Sequence, residues 1–329
     1  MISVDWFCNR MKLVKKFAKE VEVEEVAVCI PLEPKTACML YELSKFTRVF
    51  ATKLDDFSTK IEAIEWLRER GIDVVNKREA IKAKYFIDCS AVLSRVAEKA
   101  GKDEINVVEL TKTGENYLKK IKCRIKAISV DSSKIKEFES VYATCFGLLE
   151  ALLRLNVYLP SKSVRIVGFG KIGQGCANLL RKIGCRVVVW DKDEEKRLRA
   201  SFFGFEVSRD ARTDILVLCT DSKVGLEYVN DGCIVVNMGA EKFEAEGKLV
   251  EDFGIVKSYE KDGILYYLVS DGYAANLAIA NGTPIEAMDM TFSAAILALN
   301  HLKKDFSGII SLPKEIEEKV VSEALSGNF

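Results

Sequence analysis

A glycine-rich turn between two apolar segments carries the clearest chemistry in this sequence. Gly168, Gly170 and Gly173 follow a run of branched apolar residues and open a helical pattern. In this order the first glycine permits a tight turn, the second lets the backbone approach a pyrophosphate, and the third lets helix and strand pack closely. Asp191 lies 23 residues after Gly168, where a carboxylate can bind a ribose hydroxyl. Residues 164–193 therefore predict a Rossmann-type dinucleotide site.

Two other interpretations of this segment stay open. The unit could keep the fold and have lost its ligand, and SAM-type nucleosides also use an acid at the position of Asp191. We predict NAD as the cofactor, with SAM or SAH as the alternative occupant. Further predicted contacts are Lys171 and Ile172 in the turn and Thr220 at the end of a later strand.

Alternating strands and helices are needed to place this turn, and both halves of the chain show that alternation. Short apolar runs separated by amphipathic runs predict parallel sheets with helices on both faces. We therefore expect an α/β fold of two doubly wound Rossmann-like domains with a hinge between them. Besides those of the glycine unit, the expected strands are 26–30, 48–52, 72–75, 85–89, 107–110, 125–129, 214–220, 233–238 and 264–269.

Long helical patterns occur at four places. Residues 1–20 predict an amphipathic helix, and residues 132–155 predict a single helix that could join the two domains. Residues 285–302 predict another helix, and a last one follows Pro313.

Composition excludes several classes of protein. The 329 residues include 49 basic and 49 acidic side chains, well mixed, which argues against binding to nucleic acid or to an acidic lipid surface. One histidine and no C-x-x-C pair argue against a metal site. Cys29, Cys89, Cys219 and Cys233 lie in apolar runs and are expected to be buried, reduced thiols. Without an apolar run of membrane-spanning length, we expect a soluble, cytoplasmic protein.

Motifs along nearly the whole chain resemble the adenosylhomocysteinase family, the NAD-dependent S-adenosylhomocysteine hydrolases. The segment D-G-Y-A-A-N-L-A, followed by N-G-T-P and M-D-M-T-F, resembles the family's C-terminal block. The segments L-E-P-K-T-A, F-S-T, E-L-T-K-T-G and L-P-K-E also resemble family motifs, in the same order. The resemblance implies a substrate domain of residues 1–140 completed by 285–329, a cofactor domain of residues 141–284, and hinges near 131–145 and 282–286.

The resemblance also implies site residues, a role in one-carbon metabolism and a homodimer or homotetramer. Cofactor contacts implied in this way are Asn237, Asn276, Thr111 and Thr113, and implied substrate contacts are Glu33, Thr36, Ser58, Thr59, Asp88 and Glu109. A nucleoside would bind between the domains. Purely structural roles are open for several of these residues. Thr59 could cap a helix, Asn276 could form the hydrogen bonds of a turn, and Glu109 could be a solvated strand end. His301, near a helix C-terminus, is not expected to be catalytic.

Most of the family's acid–base residues are replaced here. In the family, NAD oxidises a ribose hydroxyl, a base removes the neighbouring proton, the thiol leaves and water adds. The residues at the family's three histidines are Pro31, Ala240 and Thr283. An ungapped match places Ile135 at the family's lysine, between Lys134 and Lys136, and Glu139 and Ser140 at its aspartate and asparagine. Leu110 replaces a glutamate.

We therefore assign no catalytic residue from the sequence and weigh four hypotheses. The first is an adenosylhomocysteinase-like protein that binds NAD(H) and a nucleoside, with altered chemistry. The second is a SAM- or SAH-dependent transferase on the same scaffold, and the third is a non-catalytic regulatory homologue. Authentic hydrolysis of S-adenosylhomocysteine is the least favoured, because removing residues that act together costs orders of magnitude in rate.

Overall fold

The chain forms two compact units in the computed structural model, which describes residues 2–327. The first unit combines the residues up to Glu139 with those from Ile285 onward, and the second is Ser140–Pro284. Each unit has its own sheet and its own apolar clusters.

The strands are short, as expected for parallel sheets whose strands are separated by helices. In chain order they are β1 Glu25–Ile30, β2 Arg48–Lys53, β3 Val74–Val75, β4 Tyr85–Asp88, β5 Glu104–Glu109, β6 Arg124–Ser129, β7 Ser163–Val167, β8 Arg186–Trp190, β9 Glu206–Val207, β10 Ile215–Leu218, β11 Cys233–Asn237, β12 Lys248–Asp252, β13 Val256–Lys261, β14 Ile264–Val269 and β15 Gly308–Ser311.

The helices cover both faces of the sheets. They are α1 Val4–Arg10, α2 Lys12–Phe17, α3 Pro34–Ser44, α4 Ile61–Glu69, α5 Lys77–Ala80, α6 Val92–Lys99, α7 Lys112–Leu118, α8 Lys134–Phe138, α9 Thr144–Arg154, α10 Lys171–Ile183, α11 Glu194–Phe202, α12 Ala275–Ala278, α13 Ile285–His301 and α14 Lys314–Leu325.

The first sheet has the order β15-β6-β5-β4-β1-β2-β3, and all its pairings are parallel. The order reverses between β1 and β4, so the carboxyl ends of these two strands flank a topological switch point. Crevices of this kind are where open α/β sheets bind their ligands.

The second sheet has the order β12-β13-β14-β11-β10-β7-β8-β9 and switches direction between β7 and β10. The two topologies confirm the predicted α/β fold with two doubly wound, Rossmann-like units. The antiparallel extension of β12 and β13 was not predicted from the sequence, because β12 is solvent-exposed along its length and lacks the apolar run that indicates a strand.

The predicted single helix over residues 1–20 is wrong, because the chain breaks at Met11. The carboxylate of Asp289, on α13, accepts hydrogen bonds from the backbone amides of Leu13 (3.0 Å) and Val14 (2.8 Å). These amides lie in the first turn of α2, where helical partners are missing. Asp289 therefore caps a helix 275 residues earlier in the chain, and this contact separates α2 from α1.

The predicted single helix over residues 132–155 is also interrupted. Helix α8 ends at Phe138, a π-helical segment covers Glu139–Ala143, and α9 starts at Thr144. Single π-turns inside α-helices are frequent at functional sites. This one includes the residue at which the chain passes from the first unit to the second.

The cysteines differ from the expectation in two ways. Cys29 and Cys233 are buried free thiols as predicted, but Cys89 and Cys219 are partly exposed because each lies one residue beyond the end of its strand. A disulfide joins Cys8 on α1 to Cys38 on α3. This pairing was not predicted from the sequence.

Candidate functional site

The glycine turn after β7 has the geometry that a dinucleotide requires. Gly168 has φ of +97°, and a Cβ there would collide with the carbonyl of Cys219 at the end of β10. A Cβ at Gly173 would collide with the carbonyl oxygen of Gly168, so this glycine lets α10 approach the turn. Gly170 is the N-cap of α10, and a Cβ there would meet nothing within 4 Å. The space beside Gly170, at the positive end of a helix of 13 residues, suits a pyrophosphate.

Asp191 holds this turn in place and lies where the sequence predicts a ribose contact. Its carboxylate accepts hydrogen bonds from the amides of Phe169 (2.7 Å) and Asp193 (2.9 Å). The ammonium of Lys196 lies 3.8 Å from Oδ2. The side chain is only 5% exposed, directly after β8. Lys171 and Ile172, in the first turn of α10, are both half-buried.

The other predicted cofactor residues of this unit lie at the end of β11 or after β10 and β14. The amide of Asn237 donates to the carbonyls of Glu241 (2.8 Å) and Gly272 (2.9 Å), so this side chain fixes two loops. Thr220 is half-buried and accepts from the amide of Ser222. Asn276 is 7% exposed, and its Oδ1 has no hydrogen-bond partner among the described residues. A buried amide oxygen without a partner costs free energy unless a ligand donates a hydrogen bond to it.

These features fit NAD. Gly170 leaves room for phosphates, Asp191 offers carboxylate oxygens to a ribose, and Asn276 offers a buried polar atom. The residues that would hold the cofactor are therefore Gly168, Gly170, Gly173, Asp191 and Asn276, with Asn237 shaping the loops around them.

A second polar region lies at the carboxyl edge of the first sheet, beginning after β1. Glu33 and Lys35 are both buried there, and Lys35 Nζ lies 3.0 Å from Glu33 Oε2. Burial raises the pKa of Glu33, Lys35 and Lys60 oppose that shift, and the nearby charge of Glu139 adds to it. Thr36 is tied back by a 2.6 Å hydrogen bond from its hydroxyl to the carbonyl of Pro31.

Ser58 and Thr59 form a tight turn before α4. The hydroxyl and the amide of Ser58 both donate to Asp55 Oδ1, at 2.7 and 2.8 Å. Thr59 donates to the backbone carbonyl of Asp55 and does not cap α4, whose N-cap is Lys60. The capping role considered for Thr59 is therefore wrong.

Asp88 and Glu109 are fully buried acids at the ends of β4 and β5. Asp88 accepts from the amides of Leu93 and Ser94 and from the Ser94 hydroxyl, so it holds the start of α6. Burial raises the pKa of Asp88 to about 6, against the hydrogen bonds that lower it. Burial and the charge of Asp88 raise the pKa of Glu109 to about 8. The interpretation of Glu109 as a solvated strand end is wrong, since its exposure is zero.

Thr111 belongs to the same hydrogen-bond network as Glu109. Its hydroxyl donates to Glu109 Oε1 (2.6 Å) and accepts from the amides of Ser90 (2.9 Å) and Gly114 (3.1 Å). Thr111 is thereby the N-cap of α7, and Thr113 lies half-buried in the first turn of that helix. The hydroxyl of Thr111 thus has structural partners inside the first unit.

An ion pair that the sequence analysis did not select is the most informative feature of this edge. Lys136 Nζ lies 2.6 Å from Glu139 Oε1, and the two side chains are only 13% and 8% exposed. Thr291, on α13, donates to the other oxygen of Glu139 at 2.6 Å. Burial alone would lower the pKa of Lys136, but Glu139 raises it above its ordinary value.

Ile135, which an ungapped match places at the family's lysine, and its neighbour Lys136 lie in different environments. Ile135 is 1% exposed and packs in the apolar core, whereas Lys136, one position later, faces the polar edge. The spacing of Lys136 and Glu139, three residues apart on one helix face, is the signal that could have identified the pair.

Shared electrostatic effects indicate that these groups lie near one another. The charges of Lys60 and Glu139 both influence the pKa of Glu33, and the charges of Glu109 and Lys136 both influence the pKa of the Cys89 thiol. The residues after β1, β4 and β5 and those of α8 therefore share one polar region in the first unit. It carries the buried lysine Lys35 and the partly buried lysine Lys136, whose side chain is 13% exposed, among several buried acids.

Other classes of site receive no support. His301 ends α13, with its Nδ1 3.8 Å from Glu315, and burial lowers its pKa. Between residues 2 and 327 no group of three or more potential metal ligands occurs. No helix over the same residues is both long and apolar enough to cross a membrane.

Comparison with known proteins gives matches that cover residues of both units. Residues 140–286 match a family model described as S-adenosyl-L-homocysteine hydrolase, NAD binding domain. The adenosylhomocysteinase of Thermotoga maritima is 28% identical, in an alignment covering 97% of this chain and 92% of that protein. The S-inosyl-L-homocysteine hydrolase of Methanopyrus kandleri is also 28% identical, over 96% of this chain and 88% of that protein.

Residues 140–286 thus match the NAD-binding domain model of this family, and nearly the whole chain is similar to adenosylhomocysteinases and an S-inosyl-L-homocysteine hydrolase. The similarity covers both units, so the first unit corresponds to the part of these relatives outside the matched NAD-binding model. The family model also supports NAD as the cofactor of the second unit and gives no support to SAM or SAH there.

Proposed function

We propose that this protein is an NAD-dependent enzyme that processes a nucleoside thioether, with acid–base chemistry altered from that expected of the family. The observation that carries the proposal is the largely buried Lys136–Glu139 pair at the carboxyl edge of the first sheet. A buried ion pair without a function is costly to maintain, because both charges lose hydration. The Rossmann unit of the same chain supplies the site for the cofactor.

The chain's own residues would bind and orient a ribose. NAD, when bound, supplies an acceptor for the hydride that leaves the carbon bearing a ribose hydroxyl. Lys136 would donate a hydrogen bond to a ribose hydroxyl, and Glu139 would hold the lysine in its charged form. Proton transfer would depend on Lys136 and the neighbouring acids, because Pro31, Ala240 and Thr283 carry no imidazole.

The substrate class follows from what the relatives share. Their names specify S-adenosyl and S-inosyl thioethers of homocysteine, which differ in the purine and not in the ribosyl thioether. We propose a purine ribosyl thioether as the substrate, with Glu33, Thr36, Ser58, Thr59, Asp88 and Glu109 forming or supporting its site.

The cofactor is tested with Gly170→Ala. A Cβ at this position has open space in the protein, so the variant should fold with a loss of at most about 1 kcal/mol at the N-cap, yet the Cβ would occupy the space predicted for the pyrophosphate. We expect NAD among the small molecules released on denaturing the wild type, and an NAD affinity at least about tenfold weaker in the variant.

The control is Lys182→Ala, at the exposed end of the same helix, which should bind NAD like the wild type. Equal NAD affinity in all three proteins would contradict the assignment.

The reaction is tested by thiol release from S-adenosylhomocysteine and S-inosylhomocysteine by the NAD-loaded protein. Lys136→Ala and Glu139→Gln should each lower kcat/KM by about 100-fold or more, because each leaves the other group of a buried pair without its partner. Lys134→Ala, which removes an exposed lysine two residues away, should leave the rate unchanged.

A non-catalytic homologue is the second candidate, favoured by the replacement of the family's histidines. Thr283 hydroxyl, for example, lies 3.1 Å from that of Thr144, in a contact that needs no ligand. NAD binding without turnover of either thioether would establish this alternative. No observation favours the SAM- or SAH-dependent transferase.

We also propose a homo-oligomer in the cytoplasm. Phe146 and Leu153 lie seven residues apart on α9, and Tyr142 lies in the π-helical segment before it; the three side chains are 48%, 59% and 64% exposed. Exposed apolar faces of this kind mark interaction surfaces. Sedimentation should show more than one copy per particle, and Phe146→Glu with Leu153→Glu should give monomers, whereas Ile61→Glu should not. A monomeric wild type would contradict the proposal.

A further inference from the structure

A cavity of about 530 Å³ lies on the first unit where α1, α2, α3 and α4 meet. None of its lining residues belongs to the polar edge of the sheet described above. Its walls are the second half of α3, the end of α4 and the turns around Cys8 and Lys15. The volume is in the range of sites for small organic ligands.

One wall of the cavity is aromatic and held in a fixed geometry. The rings of Tyr41 and Trp66 meet edge to face with centroids 5.4 Å apart. Trp66 Nε1 donates to Asp5 at 3.0 Å, and the guanidinium of Arg70 lies 3.7 Å from the centroid of the Trp66 ring. Trp66 is 8% exposed, so this wall keeps its shape without a ligand.

Most of the other residues that line the cavity are charged. Asp5 pairs with Arg70 at 3.2 Å, and Glu42 pairs with Lys45 at 2.7 Å, so both lining acids already have cationic partners. Lys15 and Lys19 lie one helical turn apart, and no ion pair involves either of them in the part of the chain the structure describes. The cavity thus has two positive charges in excess.

The geometry points to an organic phosphate monoester carrying a flat ring as the ligand of this cavity. A phosphate monoester carries a charge of about −1.5 to −2 at neutral pH, which matches the excess of Lys15 and Lys19. Its ring would contact Tyr41, which is half-buried and has the ammonium of Lys45 4.3 Å from its ring centroid. The volume leaves room for both parts of the ligand. This inference concerns a site separate from the nucleoside and NAD sites and does not depend on the proposed function.

The test is calorimetry with phenyl phosphate on protein saturated with NAD. Phenyl phosphate combines the ring with the charge but has no ribose or purine for the other sites to recognise. We expect binding that weakens with added salt, and about tenfold or greater weakening in a Lys15→Ala and Lys19→Ala double variant. A Lys120→Ala and Lys122→Ala double variant, which removes the same charge from exposed positions, should bind like the wild type.

Three outcomes would overturn the inference. They are the absence of binding at millimolar phenyl phosphate, equal binding by the Lys15/Lys19 variant and the wild type, and binding of phenol or inorganic phosphate as tight as that of phenyl phosphate. The first shows that the cavity is no site for this class, the second that the ligand lies elsewhere, and the third that ring and charge are not recognised together. Circular dichroism of the double variants confirms that each is folded.

Discussion

Glu109 shows how a single buried acid can organise a polar edge. Its carboxylate accepts hydrogen bonds from the amides of Ser90 (3.1 Å), Ala91 (2.9 Å) and Thr111 (2.9 Å). A Cβ at Gly114 would collide with that carboxylate, so the glycine is required for this contact. The side chain therefore positions the loops after β4 and β5 on which the candidate site depends.

The protonation of Glu109 predicts a pH dependence of stability. Its pKa in the folded protein, about 8, lies above the ordinary value of 4.5, so the folded state retains a proton that the unfolded chain releases. The stabilisation is complete below pH 4.5 and is lost as the pH rises toward 8. Glu109→Gln keeps the shape of the protonated acid and removes the titration.

Urea denaturation of both proteins between pH 5 and 8 measures this effect. We expect the free energy of unfolding of the wild type, relative to Glu109→Gln, to fall by at least about 1 kcal/mol across that range. Asp88 remains in both proteins, so its own raised pKa contributes to both curves. A difference that stays constant or rises with pH would contradict the assignment.

At the scale of secondary-structure elements, α13 connects parts of the first unit that are distant in sequence. Asp289 caps α2, and Thr291, two residues later, donates to Glu139. Both side chains extend from α13. That of Asp289 binds the start of α2, and that of Thr291 binds Glu139 of the candidate catalytic pair. Helix α13 therefore couples the folding of the N-terminal helices to the placement of the Lys136–Glu139 pair.

Removing the capping carboxylate should destabilise the first unit. Asp289→Ala leaves the amides of Leu13 and Val14 buried without their acceptor. We expect the free energy of unfolding in urea to fall by about 2 kcal/mol, the combined cost of a lost cap and unpaired buried donors. Asp305→Ala, which removes an exposed acid, is the control, and equal losses in the two variants would show that the cap contributes nothing.

At the scale of the whole molecule, the chain builds one unit from two segments that are far apart in sequence. It leaves the first unit after Glu139 and returns to it at Ile285, and β15 then pairs with β6 at the edge of the first sheet. The Cys8–Cys38 disulfide adds a covalent link between α1 and α3 within that unit. Helix α3 begins beside Glu33, so the link lies on the element that follows the candidate site.

Reducing this disulfide should weaken the protein. The bond closes a loop with a sequence separation of 30 residues, and loss of such a constraint on the unfolded chain costs about 3 kcal/mol. We expect that difference in urea denaturation with and without a reductant, and reductant-independent stability in a Cys8→Ala and Cys38→Ala variant. Cys123→Ala should respond to reductant like the wild type. Equal stability of the oxidised and reduced wild type would contradict the prediction.

Local sequence was enough to predict the cofactor turn and the fold class. Gly168, Gly170, Gly173 and Asp191 act within one strand–turn–helix–strand segment, so their spacing alone determines the turn that they form. The apolar alternation determines the parallel strands in the same way. Strand β12 was missed because an exposed edge strand carries no such pattern.

Tertiary structure determines which residues form the candidate catalytic pair and which distant contacts hold it in place. Ile135 and Lys136 are neighbours in sequence, and only packing against the core selects which of them faces the polar edge. The Asp289 cap and the Cys8–Cys38 disulfide join residues whose separation in the chain leaves no local signal. Short-range spacing can specify a turn, whereas burial and pairing of charges depend on which distant segments the fold brings together.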